Sequence, residues 1–126
     1  MNKGEIYVVD DEAGIRLLLS EIIGQEGFEL KTFERPDIAL NEALDNPPKL
    51  IFLDYLMESI RGDQFIKQLK EAHVDVPVVL MSGMASQELK ETLNELDICH
   101  ILEKPFSVSD VKRIINGVIG VNESGV

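Results

Sequence analysis

Residues 50–57 read Leu-Ile-Phe-Leu-Asp-Tyr-Leu-Met, four apolar side chains in a row followed by an aspartate. Successive side chains of a strand point to opposite faces of its sheet, so a short unbroken apolar run predicts a strand covered on both sides. The pattern recurs outward in both directions. Ile6–Val9 precede Asp10 and Asp11, Val78–Met81 precede Ser82 and Gly83, and Ile101–Leu102 precede Glu103, Lys104 and Pro105. Segments of helical period separate the runs, and this alternation specifies a parallel sheet with helices on both faces, a three-layer α/β sandwich.

Five strands are expected, at Glu5 to Asp10, Phe28 to Phe33, Leu50 to Asp54, Val76 to Met81 and Cys99 to Glu103. The second alternates polar and apolar residues and belongs near a sheet edge. Ile15, Leu18, Leu19, Ile22 and Ile23 share one face of a helix that Gly24 or Gly27 can end. Pro36 starts a second helix, which stops before Pro47 and Pro48, and Asp63 opens a shorter one carrying Phe65, Ile66 and Leu69. Leu89, Leu93 and Leu96 follow a capping Ser86. Val108, Val111, Ile114, Ile115 and Val118 follow Ser107, with Asp110 three residues beyond that serine.

A chain of 126 residues, 44% apolar and 28% charged, suits one domain, with a core at about residues 5–119 and a frayed tail at 120–126. No apolar run approaches the length of a membrane span and the N-terminus lacks a signal-peptide pattern. The single cysteine, Cys99, forms no intrachain disulfide, and a reduced cytoplasmic setting is the default. A net charge of −11 opposes direct contact with nucleic acid.

Ligands of an open parallel sheet bind beyond the carboxyl ends of the strands, where the strand order reverses. Asp10, Asp11, Asp54, Ser82 and Lys104 all stand at such ends. Singly, each has an ordinary structural role as a cap, a turn residue or a solvated charge. Three carboxylates in one crevice are different, because like charges about 4 Å apart repel by roughly 4 kcal/mol at an effective dielectric near 20. An all-oxygen cluster suits a hard cation such as Mg²⁺ (or Mn²⁺), which commonly binds beside phosphate. Lys104 adds a positive charge from the other side, and Ser82 and Gly83 add donors, which together describe a phosphoryl site. No histidine ends a strand to activate Ser82, whereas a carboxylate needs no base, so Asp54 on the central strand is the best-placed nucleophile.

The ordered set IYVVDDE (6–12), LIFLDYLM (50–57) followed by Gly62, VVLMSG (78–83) and ILEKPF (101–106) resembles the receiver domain of two-component response regulators, of the single-domain, chemotaxis-receiver-like type. The resemblance spans about Glu5 to Ile119 and implies a flavodoxin-like fold with strand order 2-1-3-4-5. It implies that Asp54 accepts a phosphoryl group from a histidine kinase or histidine phosphotransferase. Asp11 and Asp54 would ligate Mg²⁺ directly, Asp10 would act through a water, and the Leu56 backbone carbonyl would complete the protein ligands. Ser82 and Lys104 would contact the phosphoryl oxygens, and the peptide before Pro105 would be cis. The donor would dock on Ile15, Leu18, Pro105 and Phe106.

Two positions depart from the family pattern. Glu58 replaces a proline four residues after the phosphoacceptor. Ile101 stands where an aromatic or histidine switch residue is usual, and the neighbouring His100 should face the other way. Leu56 and Met84, which flank the path of the hydrolytic water in receivers, are both apolar and predict a slowly lost phosphoryl group. The expected molecule is a single-domain regulator that switches a downstream protein and turns over no metabolite. A pseudo-receiver that only binds a partner would lack one of the acidic or lysine positions, and all are present. A flavodoxin would need a Ser/Thr/Gly-rich cradle after the first strand, and a haloacid-dehalogenase-type phosphatase a D-x-D there; Asp11-Glu12-Ala13 is neither.

Overall fold

Strand β3 (Leu50–Asp54) is fully buried and lies at the centre of a five-stranded parallel sheet, flanked by β1 (Glu5–Val9) and β4 (Val78–Ser82), with β2 (Glu29–Phe33) and β5 (His100–Glu103) at the edges. The order is 2-1-3-4-5, as the resemblance implied. The computed structural model describes residues 4–55, 57, 62–83, 91 and 100–120. The expected helix after Ser86, the start of the fifth strand at Cys99, the tail, and Leu56, Glu58 and Met84 therefore lie outside the described residues.

The two-residue period of the strands divides the core into two layers. Ile6, Val8, Leu50, Phe52, Val79, Met81 and Leu102 face helices α1 (Ala13–Gln25) and α4 (Val108–Ile115). Tyr7, Val9, Ile51, Leu53, Val78 and Leu80 face α2 (Pro36–Asp45) and α3 (Gly62–Glu71). Because β1 sits between β2 and β3, the chain winds one way from β1 through α1 and the other way from β2 through α2. The carboxyl ends of β1 and β3 thus flank the reversal of strand order.

Several boundaries differ from those read in the sequence, each for a local reason. Phe28 precedes β2: it is buried against α1, and its N–H bonds the Ile23 carbonyl as part of the turn that Gly27, at φ +91°, allows. Gly24 stays within α1. The fourth strand begins at Val78, since Pro77 has no N–H to donate; Val76 still packs on the core. Asp10 follows β1, although its N–H continues the ladder to Phe33. Of the apolar face expected on α1, Leu19, Ile22 and Ile23 are buried, Ile15 is half-buried, and Leu18 is 36% exposed.

Ser107 caps α4 as the sequence indicated. Its hydroxyl accepts from the Asp110 N–H at 3.1 Å, and an Asp110 carboxylate oxygen accepts from the Ser107 N–H at 3.0 Å. The bond from the Ser107 N–H holds the Asp110 carboxyl below its ordinary value. Stability from this box is present above the ordinary aspartate range and is lost as pH falls through the lowered value. Ser107→Ala removes the hydroxyl that accepts from the Asp110 N–H and should cost about 1 kcal/mol in urea unfolding at neutral pH.

Candidate functional site

Backbone hydrogen bonds fix the strand ends that carry the site. The Asp10 N–H bonds the Phe33 carbonyl at 3.0 Å, the Tyr55 N–H bonds Met81 at 3.0 Å, and the Lys104 N–H bonds Ser82 at 2.8 Å. Gly62 closes the far side. Its N–H reaches the Tyr55 carbonyl at 3.1 Å, and a Cβ there would lie 2.8 Å from the Leu80 side chain and 3.3 Å from the Tyr55 Cα, so only glycine allows α3 to start this close to β3.

Asp10, Asp11 and Asp54 converge. Each offers a carboxylate oxygen, and these oxygens all lie within 4.8 Å of one another. Asp10 is wholly buried and Asp54 nearly so, whereas Asp11 is exposed. Hard carboxylate oxygens at this spacing, with no nitrogen or sulfur donor among them, fit a divalent ion such as Mg²⁺ or Mn²⁺.

Lys104 precedes Pro105 through the cis peptide expected from the resemblance. Its placement differs from the expected one. Rather than standing opposite the acids, its Nζ lies among them, at 2.9 Å from Asp10 Oδ2, 3.2 Å from Glu12 Oε1 and 3.6 Å from Asp54 Oδ1. The like charges of the cluster draw the ammonium in, and it compensates part of their repulsion. Burial by itself would lower the lysine pKa, but the hydrogen bond and charge of Asp10, with Asp54 and Glu12 behind them, outweigh it and raise it. Ser82 is buried at the end of β4, in register with Glu103.

Two participants were not singled out in the sequence. Glu12 binds Lys104 and, through its N–H, Asp10 Oδ1 at 2.8 Å. Arg16 donates from Nη1 to the Asp10 carbonyl at 2.8 Å and lies 3.6 Å from Glu34, so the first turn of α1 grips the end of β1. The acid directly after Asp11 and a basic residue one helical turn further on were the available signals.

The remaining expected positions lie around this centre. Ile101 is half-buried on the α2–α3 side, and His100 is exposed on β5. Ile15 and Phe106 are half-buried against the α1–α4 core layer, and Pro105 and Leu18 are exposed. Leu17, also on α1, is 65% exposed. Among the described residues, no helix is long and apolar enough to cross a membrane.

Comparison with known proteins agrees with this geometry. The chain is 34% identical over 116 residues to the phosphate regulon transcriptional regulatory protein PhoB of Escherichia coli, covering 90% of this chain and 51% of PhoB. It is 34% identical over 105 residues to the nitrogen assimilation regulatory protein NtrX of Azorhizobium caulinodans, covering 82% of this chain and 23% of NtrX. The chain thus spans about half the length of PhoB and a quarter of NtrX. The solved receiver domain of NtrX from Brucella abortus superposes with a TM-score of 0.82 at 30% identity, covering 92% of this chain and 98% of that one. A Francisella receiver domain shares the fold with a TM-score of 0.85 at 22% identity, covering 93% and 97%. The family model for the response regulator receiver domain matches residues 6–116. By fold, acidic cluster and sequence, the chain belongs to the receiver domains of two-component response regulators.

Proposed function

We propose that this chain is a phosphoacceptor switch: it takes a phosphoryl group onto Asp54 from the phosphohistidine of a histidine kinase or histidine phosphotransferase and thereby changes its binding to a downstream protein in the cytoplasm. One observation carries the reading. Asp54, at the end of the central strand, has Asp10 and Asp11 beside it and the Lys104 ammonium 3.6 Å away. An Asp54 oxygen attacks phosphorus; the new O–P bond forms as the P–N bond to the donor imidazole breaks, and its electron pair stays on the imidazole nitrogen. Lys104 and Ser82 serve the phosphoryl oxygens. The protein catalyses its own modification and turns over no metabolite.

A divalent cation, when bound, supplies counter-charge to the phosphoryl oxygens. Asp11 and Asp54 would hold it directly. Asp10 has one oxygen on the Glu12 N–H and the other on Lys104, which favours a role through water. The Leu56 carbonyl is the fourth candidate ligand. Ile15, Leu18, Pro105 and Phe106 form the donor's docking rim, an apolar patch with polar surroundings. Ile101 takes the switch position, without the aromatic rotamer usual there.

The test is intact mass spectrometry after incubation with phosphoramidate and Mg²⁺. One added phosphoryl group is expected, and none would overturn the reading. The metal site has its own check. Asp11→Asn relieves carboxylate repulsion, so the metal-free variant should melt roughly 2–5 °C above wild type. Mg²⁺ should raise the melting temperature of wild type and leave that of the variant nearly unchanged.

A further inference from the structure

Lys104 is held by more than the two buried acids. An ammonium has three N–H donors. Here hydrogen bonds run to Asp10 Oδ2 at 2.9 Å and Glu12 Oε1 at 3.2 Å, while Asp54 Oδ1 at 3.6 Å is beyond hydrogen-bonding reach. The Glu12 side chain is 63% exposed, against 10% for Asp54 and none for Asp10. Among the described residues, Glu12 is therefore the outermost carboxylate on the lysine and stands on its solvent side. Its position is set by the backbone, because its N–H is bonded to Asp10 Oδ1 and its carbonyl accepts the first α1 bond, from Arg16.

We propose that Glu12 is a specificity-determining residue at the mouth of the phosphoryl site, which holds Lys104 off Asp54 and disfavours small phosphodonors in proportion to their negative charge. The inference rests on the phosphoacceptor reading of Asp54. Two effects act in the same direction. A phosphoryl group arriving at Asp54 must draw Lys104 away from Glu12 before it gains the lysine's charge, and a free anionic donor must pass the Glu12 carboxylate at close range. As stabilisation, an ion pair this exposed contributes little. Its consequence is kinetic, since one unit charge beside the path changes the rate at which an anion arrives.

The experiment compares Glu12→Gln with wild type, using acetyl phosphate, which carries about two negative charges at neutral pH, and phosphoramidate, which carries about one. Both proteins are assayed with Mg²⁺ at low ionic strength. Glu71→Gln is the charge-matched control; Glu71 ends α3, which runs antiparallel to the strands, so it lies at the opposite end of the sheet. Glu12→Gln should speed acetyl phosphate transfer about threefold or more and phosphoramidate transfer by clearly less, so the ratio of the two rates rises. Glu71→Gln should leave that ratio at the wild-type value. An unchanged or lower ratio in Glu12→Gln, or an equal rise in Glu71→Gln, overturns the proposal while the phosphoacceptor reading stands. Failure of wild type to react with either donor overturns both.

Discussion

Asp54→Asn should take up no phosphoryl group from phosphoramidate or from a phosphorylated histidine donor, under conditions that label wild type fully. Asparagine keeps the shape of the side chain and its place at the end of β3, but an amide oxygen is a poor nucleophile. The variant should fold, because the substitution removes one of three mutually repelling carboxylates whose oxygens lie within 4.8 Å of one another. Circular dichroism should be superposable on wild type, with the labelling stoichiometry falling from about one to zero. Undiminished labelling of a folded Asp54→Asn protein would move the acceptor to another of the clustered acids.

Asp54 is legible in the sequence because two independent signals meet on it. The apolar run Leu50 to Leu53, short and bounded by polar residues, fits a doubly covered strand, and the polar residues that follow such a strand fall at the binding end of the sheet. The same logic found Asp10, Ser82 and Lys104. It failed where burial and strand hydrogen bonding part company. Phe28 and Val76 are apolar and packed on the core, yet neither is in a strand, because one completes the turn after α1 and the other precedes a proline without an N–H. Hydrophobicity reports the first property and is silent on the second.

The lysine shows a different limit. Strand order and strand ends predict that Lys104 reaches the crevice, but not which carboxylate it meets there. That choice depends on the loop through Pro105 and on Glu12, an exposed side chain that leaves no periodic apolar trace in the sequence. Arg16 escaped for a similar reason. It sits on the half-buried flank of α1, and its contact is to a backbone carbonyl, the Asp10 oxygen, which no side-chain pattern encodes.

Replacing Lys104 should have two separable consequences. Asp10 has no exposed surface, and Lys104 Nζ is 2.9 Å from it, so removing the ammonium leaves a buried carboxylate without its cation. Lys104→Met, which retains most of the apolar stem, should lose about 2 kcal/mol and melt roughly 5–10 °C lower in the absence of metal. Added Mg²⁺ should restore part of that loss by supplying the missing positive charge. The pH dependence has a definite sign. The folded-state pKa of Lys104 lies above its ordinary value of 10.5, so the wild-type advantage is fully present below that value and disappears as pH rises through the raised one. Urea midpoints of the two proteins should therefore differ at neutral pH and converge in strong alkali. Phosphorylation should fall much further than stability does, by about a hundredfold, because the lysine's charge is most valuable when a phosphoryl group arrives among three carboxylates. Saturating Mg²⁺ should not recover that rate even where it recovers the melting temperature. Recovery of both together would reduce Lys104 to a structural counter-charge for Asp10.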